Sequence, residues 1–138
     1  MKKLAGVVLA LAAVGWLSVA SHAQVTKGKS RLALTKQLMA GLVRPNCAGL
    51  GDALKQTPAD DKAWDELAIK AALLNEAGYL LMDDGRCPDA VWAGAAKTLR
   101  EASAEVLAKI EAKDQAGAQS AFANVTKACA ECHKAHKK

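Results

Sequence analysis

Proline is nearly absent from this chain, and its scarcity marks where helices can run. Pro45, Pro58 and Pro88 are the only three among 138 residues, and residues 89–138 contain none. Proline removes a backbone N–H and crowds the preceding turn, so a chain with so few can be helical almost throughout. Alternating β-branched residues are missing as well, which leaves no pattern for strands. Aromatics are few: three Trp, one Tyr and one Phe. Charge of one sign is not dominant, with 19 Lys and Arg against 14 Asp and Glu. No basic stripe interleaves with aromatics, so no nucleic-acid footprint is present. Internal repeats and low-complexity stretches are also lacking.

What is there begins with a processing signal. Met1-Lys2-Lys3 is a positive start, Leu4 to Leu17 is almost wholly apolar, and Ser21-His22-Ala23 supplies small residues at the cleavage-determining positions. Residues 1–23 therefore read as a secretory signal peptide cut after Ala23. The apolar run is short for a membrane span, so no membrane attachment is expected after cleavage. Removal of Lys2 and Lys3 leaves 17 of the 19 basic residues against all 14 acidic ones, a net +3. Residues 24–138 suffice for one domain.

Ala, Leu, Lys and Glu dominate that domain and favour helix. A first helix is expected over about Ser30–Arg44, with Leu34, Leu38 and Leu42 in one row and Met39 and Val43 beside it. Pro45 should break or kink it, and residues 47–54 stay undecided. Thr57-Pro58-Ala59-Asp60 predicts the start of a second helix, with Thr57 as cap and Pro58 in the first turn. Trp64, Leu67, Ala71, Leu74, Gly78 and Leu81 form its apolar face, and Asp83-Asp84-Gly85 ends it. A third helix follows Cys87-Pro88-Asp89, facing inward through Trp92, Ala95, Leu99, Ala102, Val106 and Ile110. A turn at Lys113-Asp114 opens the fourth, with Ala118, Phe122, Val125, Cys129 and Cys132 on one face. The fold class is all-α, and short connections argue an antiparallel four-helix bundle.

The most specific signal lies near the end, at Cys129-Ala130-Glu131-Cys132-His133. This is C-x-x-C-H, the covalent attachment sequence for one haem c. Each thiol would form a thioether with a haem vinyl group, and His133 would bind the iron on the proximal side. On a helix, Cys129 and Cys132 are i, i+3, and Cys129 and His133 are i, i+4, so the three share a stripe. A redox dithiol or half of a zinc site are the competing meanings of the spacing. The dithiol usually accompanies a βαβ pattern, and zinc wants a second Cys/His pair. His136 diverges from the stripe and is expected at an exposed terminus. Haem would fill core volume that the few aromatics leave, so folding without it should be weak.

Cys47 and Cys87 lie outside the motif. In an oxidising compartment an even pair invites a disulfide. In a plain bundle their helix ends lie ~20 Å or more apart, whereas a bridge needs Cα atoms within about 7 Å. A Cys47–Cys87 bridge, free buried thiols, and an intersubunit bond in a homodimer or a metal role stay open. Asp83, Asp84, Arg86 and Asp89 around Cys87 read as a capped turn with local ion pairs, ahead of a calcium site.

Export, a four-helix pattern and C-x-x-C-H on the final helix together resemble the class II cytochromes c, meaning cytochrome c′ and its methionine-ligated low-spin relatives. Asn124-Val125 ahead of Cys129 and the ending Cys132-His133-Lys134-Ala135-His136-Lys137 carry that resemblance. Leu38-Met39 followed by Arg44 is similar to the methionine-ligated branch, and this implies Met39 as the distal iron ligand. As a residue at helical spacing, Met39 equally reads as core filling; Met82 is a weaker candidate. His136-Lys137 stands where many members have an aromatic residue and Arg, which makes Lys137 the substitute contact for a haem propionate.

The implied function is periplasmic electron transport without substrate turnover, so not an enzyme. The alternative is a five-coordinate haem module that binds or senses NO or CO. Peroxidase chemistry is disfavoured because no distal acid–base constellation is present. Lys134, Lys137 and Lys138 crowd the motif and read as a solvated helix end or as a docking patch for an acidic redox partner.

Overall fold

Three aspartates decide where the long helices start. The computed structural model describes residues 28–137, all-helical apart from connections and ends, with no β-strand among them. Helices α3 (Asp61–Met82), α4 (Ala90–Glu111) and α5 (Gln115–His136) follow Asp60, Asp89 and Asp114. Each carboxylate accepts a backbone N–H three residues on: Ala63 at 2.8 Å, Trp92 at 2.9 Å and Gly117 at 2.8 Å. Such a cap stabilises a helix by about 0.5–2 kcal/mol over alanine. The start of α3 corrects the expectation that Thr57 is the cap and Pro58 the first helical residue. Asp60, with extended backbone, supplies the carboxylate instead.

Pro45 does not end the first helical arm. Helix α1 (Thr35–Leu38) runs into a π-helical turn (Met39–Val43) and continues as α2 (Arg44–Ala53). Pro45 has no N–H to return to the preceding turn. The wider turn accommodates it: the Arg44 N–H reaches back five residues to the Met39 carbonyl, and the Asn46 side-chain amide donates to the Leu42 carbonyl at 2.7 Å. The arm begins at Thr35, later than the expected Ser30, and the undecided residues 47–54 are helical or close α2. Leu34, Leu38 and Leu42 are only half-buried, while Val43, Leu50 and Leu54 enter the core.

Helix α4 packs along both α3 and α5, and α2 packs against α3. The apolar faces expected for α3 and α4 are all buried. On α5 the buried row is Ala118, Ala121, Val125 and Ala128, with Phe122, Cys129 and Cys132 half-buried at its edge. Gly78 lets α3 close on α4, because a Cβ there would run into Arg100 and the Ala96 carbonyl. Gly51 does the same for α2 and α5, where a Cβ would lie 2.9 Å from the Phe122 ring. The Gln115 amide ties α5 to the Leu54 carbonyl at 2.7 Å.

Residues 29–33 form a strap held by the loop after α3. Asp84, in the left-handed region at φ 61°, accepts from the Ser30 N–H, the Ser30 hydroxyl and the Arg31 N–H, each at 2.9 Å. Buried Arg86 donates to the Ala33 carbonyl at 3.0 Å and lies 3.6 Å from Asp84. The loop is thus a capped turn; among the described residues no group of three or more His, Cys, Asp or Glu is assembled for a metal ion. The Arg31 and Ser30 N–H groups hold the Asp84 carboxyl down at about 2. A depressed folded-state value means this stabilisation is present above the ordinary carboxylate range and is lost as pH falls through about 2. Asp84→Asn is expected to raise amide exchange at Ser30 and Arg31 severalfold at neutral pH, leaving the middle of α4 unchanged. Equal protection in the variant would contradict this account of the strap.

The expected signal peptide, 1–23, lies outside the described residues, as do the chain from Gln24 to Lys27 and Lys138. No helix among the described residues is long and apolar enough to cross a membrane.

Candidate functional site

The C-x-x-C-H motif occupies the last turns of α5, and the π turn brings Met39 to it. Met39, Val43, Leu81, Trp92, Cys129, Cys132 and His133 are among the residues around a small inner cavity of about 30 Å³. Beside it opens a cleft of about 450 Å³, bordered by Lys36, Met39, Arg44, Cys47, Cys129, His133 and Lys137 among others. Met39, Val43, Cys129 and His133 border both spaces and form the boundary between them. The inner cavity has room for little more than a water, whereas the cleft lies within the usual range for cofactor pockets, about 300–1,000 Å³.

Burial raises one thiol of the motif and a neighbouring cysteine raises the other. Burial, with the Asp89 charge adding to it, pushes Cys132 up to about 11. Its interaction with Cys47, followed by burial, holds Cys129 well above the ordinary thiol value. Both are therefore protonated thiols near neutral pH. Burial and then the Lys137 charge lower His133, which favours the neutral imidazole that a metal requires.

The donor set fits a haem. The Cys129 thiol and the His133 imidazole from α5 and the Met39 thioether from the first arm border the cleft, and the Cys132 thiol borders the inner cavity beside it. The inner walls are carbon-rich, with Val43, Leu81, Trp92, Ala95 and Leu99 contributing. A closed zinc site fits less well, because it takes four Cys or His ligands and the described residues gather no group of three. Met82 does not line either space.

One expectation about a single residue needs correction. His136 is not exposed: it is 6% accessible and meets Trp92 edge-on, ring centroids 5.3 Å apart at 79°. Its Nε2 lies 3.4 Å from the Asp89 carboxylate. The reason is its row, since His136 follows Cys132 by four residues and turns inward with it. Of the alternatives open for Cys47 and Cys87, the structure has free thiols, as it has at Cys129 and Cys132. Cys47 meets Cys129, with the two side chains hydrogen-bonded, while the Cys87 thiol donates to the Asp89 carbonyl at 3.4 Å.

Sequence reasoning names Cys47 only for a bridge or a metal and Trp92 only for the core, and connects neither with the haem motif. Met39, Val43 and Cys47 are spaced by four, so a helix carried through Pro45 would have placed Cys47 on the Met39 side. By its spacing Trp92 reads as core, and only the approach of α4 to α5 connects it with the motif. Compared with known proteins, the chain matches no family model, no curated protein and no solved structure.

Proposed function

We propose that this chain is a periplasmic c-type cytochrome of the class II kind, an antiparallel four-helix bundle that carries electrons and turns over no substrate. Cys129 and Cys132 would hold one haem c covalently, and His133 and Met39 would supply the donors to its iron. The observation that carries this reading is that Met39, ninety residues before Cys129 in sequence, borders the same cofactor-sized cleft as Cys129 and His133. When bound, haem supplies an iron that changes oxidation state by one electron, at a potential set by its axial donors and surroundings.

The chain's own residues have distinct tasks. Cys129 and Cys132 provide the sulfurs that hold the ring to α5, and the His133 imidazole is kept in its ligating form. Val43, Leu81, Trp92 and Leu99 exclude water from the inner side. Lys36, Arg44 and Lys137 line the open cleft, where they can hold propionates and attract an acidic partner protein. Exposed Lys134 extends the same charge. The amino-terminal signal at 1–23 supports export, and export is where such attachment occurs in bacteria.

The test is the intact mass of the full chain exported from a bacterium that carries haem-attachment machinery. The expected product is the chain from Gln24 plus one haem, with the addition resisting acid–organic extraction. Cys129→Ser combined with Cys132→Ser should abolish the addition. Exported chain with both native sulfurs unmodified would end this reading.

A further inference from the structure

We propose that Cys47 and Cys129 form a reversible disulfide in the haem-free chain, fastening α2 to α5 until a thiol reductant releases Cys129. Of the four cysteines, only these two line the open cleft, both are half-buried, and their thiols meet side chain to side chain. Cys132 borders the inner cavity and not the cleft. Cys87 is engaged with the Asp89 carbonyl in its loop. The third cysteine of the site thus faces the first attachment cysteine, on the side open to solvent.

The chemistry suits thiol–disulfide exchange with an anionic small-molecule disulfide such as glutathione disulfide. Lys36, Arg44 and Lys137 on the cleft wall attract that charge. The hydrogen bond from Cys129 favours the Cys47 thiolate and brings Cys47 down to about 7, which makes it the attacking sulfur. It bonds to one sulfur of the glutathione disulfide and expels a glutathione thiolate, which takes up a proton. Cys129 then gives its proton to solvent and attacks the Cys47 sulfur. The second glutathione leaves as thiolate and is protonated in turn. The two protein thiols lose two electrons, and the disulfide gains them as two thiols.

This bond is a property of the chain without haem and does not require the cytochrome reading. Its consequence, that Cys129 cannot accept a vinyl group until reduced, rests on that reading. Such a bond would keep these cleft thiols from irreversible oxidation in an oxidising compartment.

The test uses the full chain made in cells without haem-attachment machinery, equilibrated in glutathione buffers of graded potential, alkylated and mapped by mass spectrometry. Four alkylated cysteines under reducing conditions should fall to two, with fragmentation joining Cys47 to Cys129. The cross-link should survive Cys132→Ser and vanish in Cys129→Ser. A Cys129–Cys132 bond with Cys47 still alkylated, a Cys47–Cys87 bond, or four alkylated thiols throughout would each overturn the proposal. Failure of haem attachment leaves this measurement unaffected. A cytochrome that loads haem normally but never shows the cross-link would refute this proposal alone.

Discussion

Trp92→Ala should lower stability by about 3–5 kcal/mol, the range for removing a buried aromatic side chain, and should loosen the end of α5 in particular. Trp92 is 2% accessible, and its indole N–H donates to the Leu81 carbonyl at 2.7 Å. That carbonyl belongs to the last turn of α3, where no later N–H of the helix can satisfy it. Alanine removes the ring from the inner cavity wall, leaves the carbonyl without its donor, and takes away the surface on which His136 rests. Because small domains are stable by only about 5–15 kcal/mol, a loss of this size is a large fraction of the total. The measurement is a urea transition followed by circular dichroism, with Leu32→Ala, at an 82% accessible position, as the comparison. A midpoint shift no larger than that of Leu32→Ala would show that α3, α4 and α5 do not meet at Trp92 as described.

In the haem-loaded protein, Met39→Ala should convert a low-spin spectrum into that of a site with an open axial position. The unmutated protein should resist CO, and the variant should bind it promptly. The physical basis is placement. The π turn at Met39–Val43 sets the thioether against the cavity that the His133 imidazole borders from α5, and a thioether at that position closes the iron to outside ligands. Alanine keeps the helix, so the change in ligation is separable from a change in folding. If the unmutated protein takes CO at once and Met39→Ala alters nothing, Met39 is a packing residue. The NO- or CO-binding function would then replace electron transfer.

The helices of the second half were legible because amphipathic periodicity is a local property. Trp64, Leu67 and Ala71 on α3, and Trp92, Leu99 and Val106 on α4, lie within one or two turns of each other. Their common face follows from helix geometry whatever the partner is. The motif was legible for the same reason: Cys129, Cys132 and His133 are constrained by spacing alone. The first arm was harder to read. The wider turn at Met39–Val43 before Pro45 alters the register that a regular helix would carry forward. The row that began with Leu34 and Leu38 therefore does not continue into the core, and Leu50 and Leu54 take its place. The α3 cap falls at Asp60 and not at Thr57 because Asp60 takes the extended backbone of a cap and its carboxylate accepts from the Ala63 N–H.

By itself, then, the sequence determined an all-α chain, the inward faces of α3 and α4, and the C-x-x-C-H stripe on α5, all through relations spanning a few residues. The tertiary structure alone decided that Cys47 faces Cys129 and not Cys87, that His136 is buried on Trp92, and that Met39 shares a cavity with His133. Those pairings depend on how far each helix is turned and slid against its neighbour. A close approach at Gly51 or Gly78 sets that offset, and no local spacing encodes it.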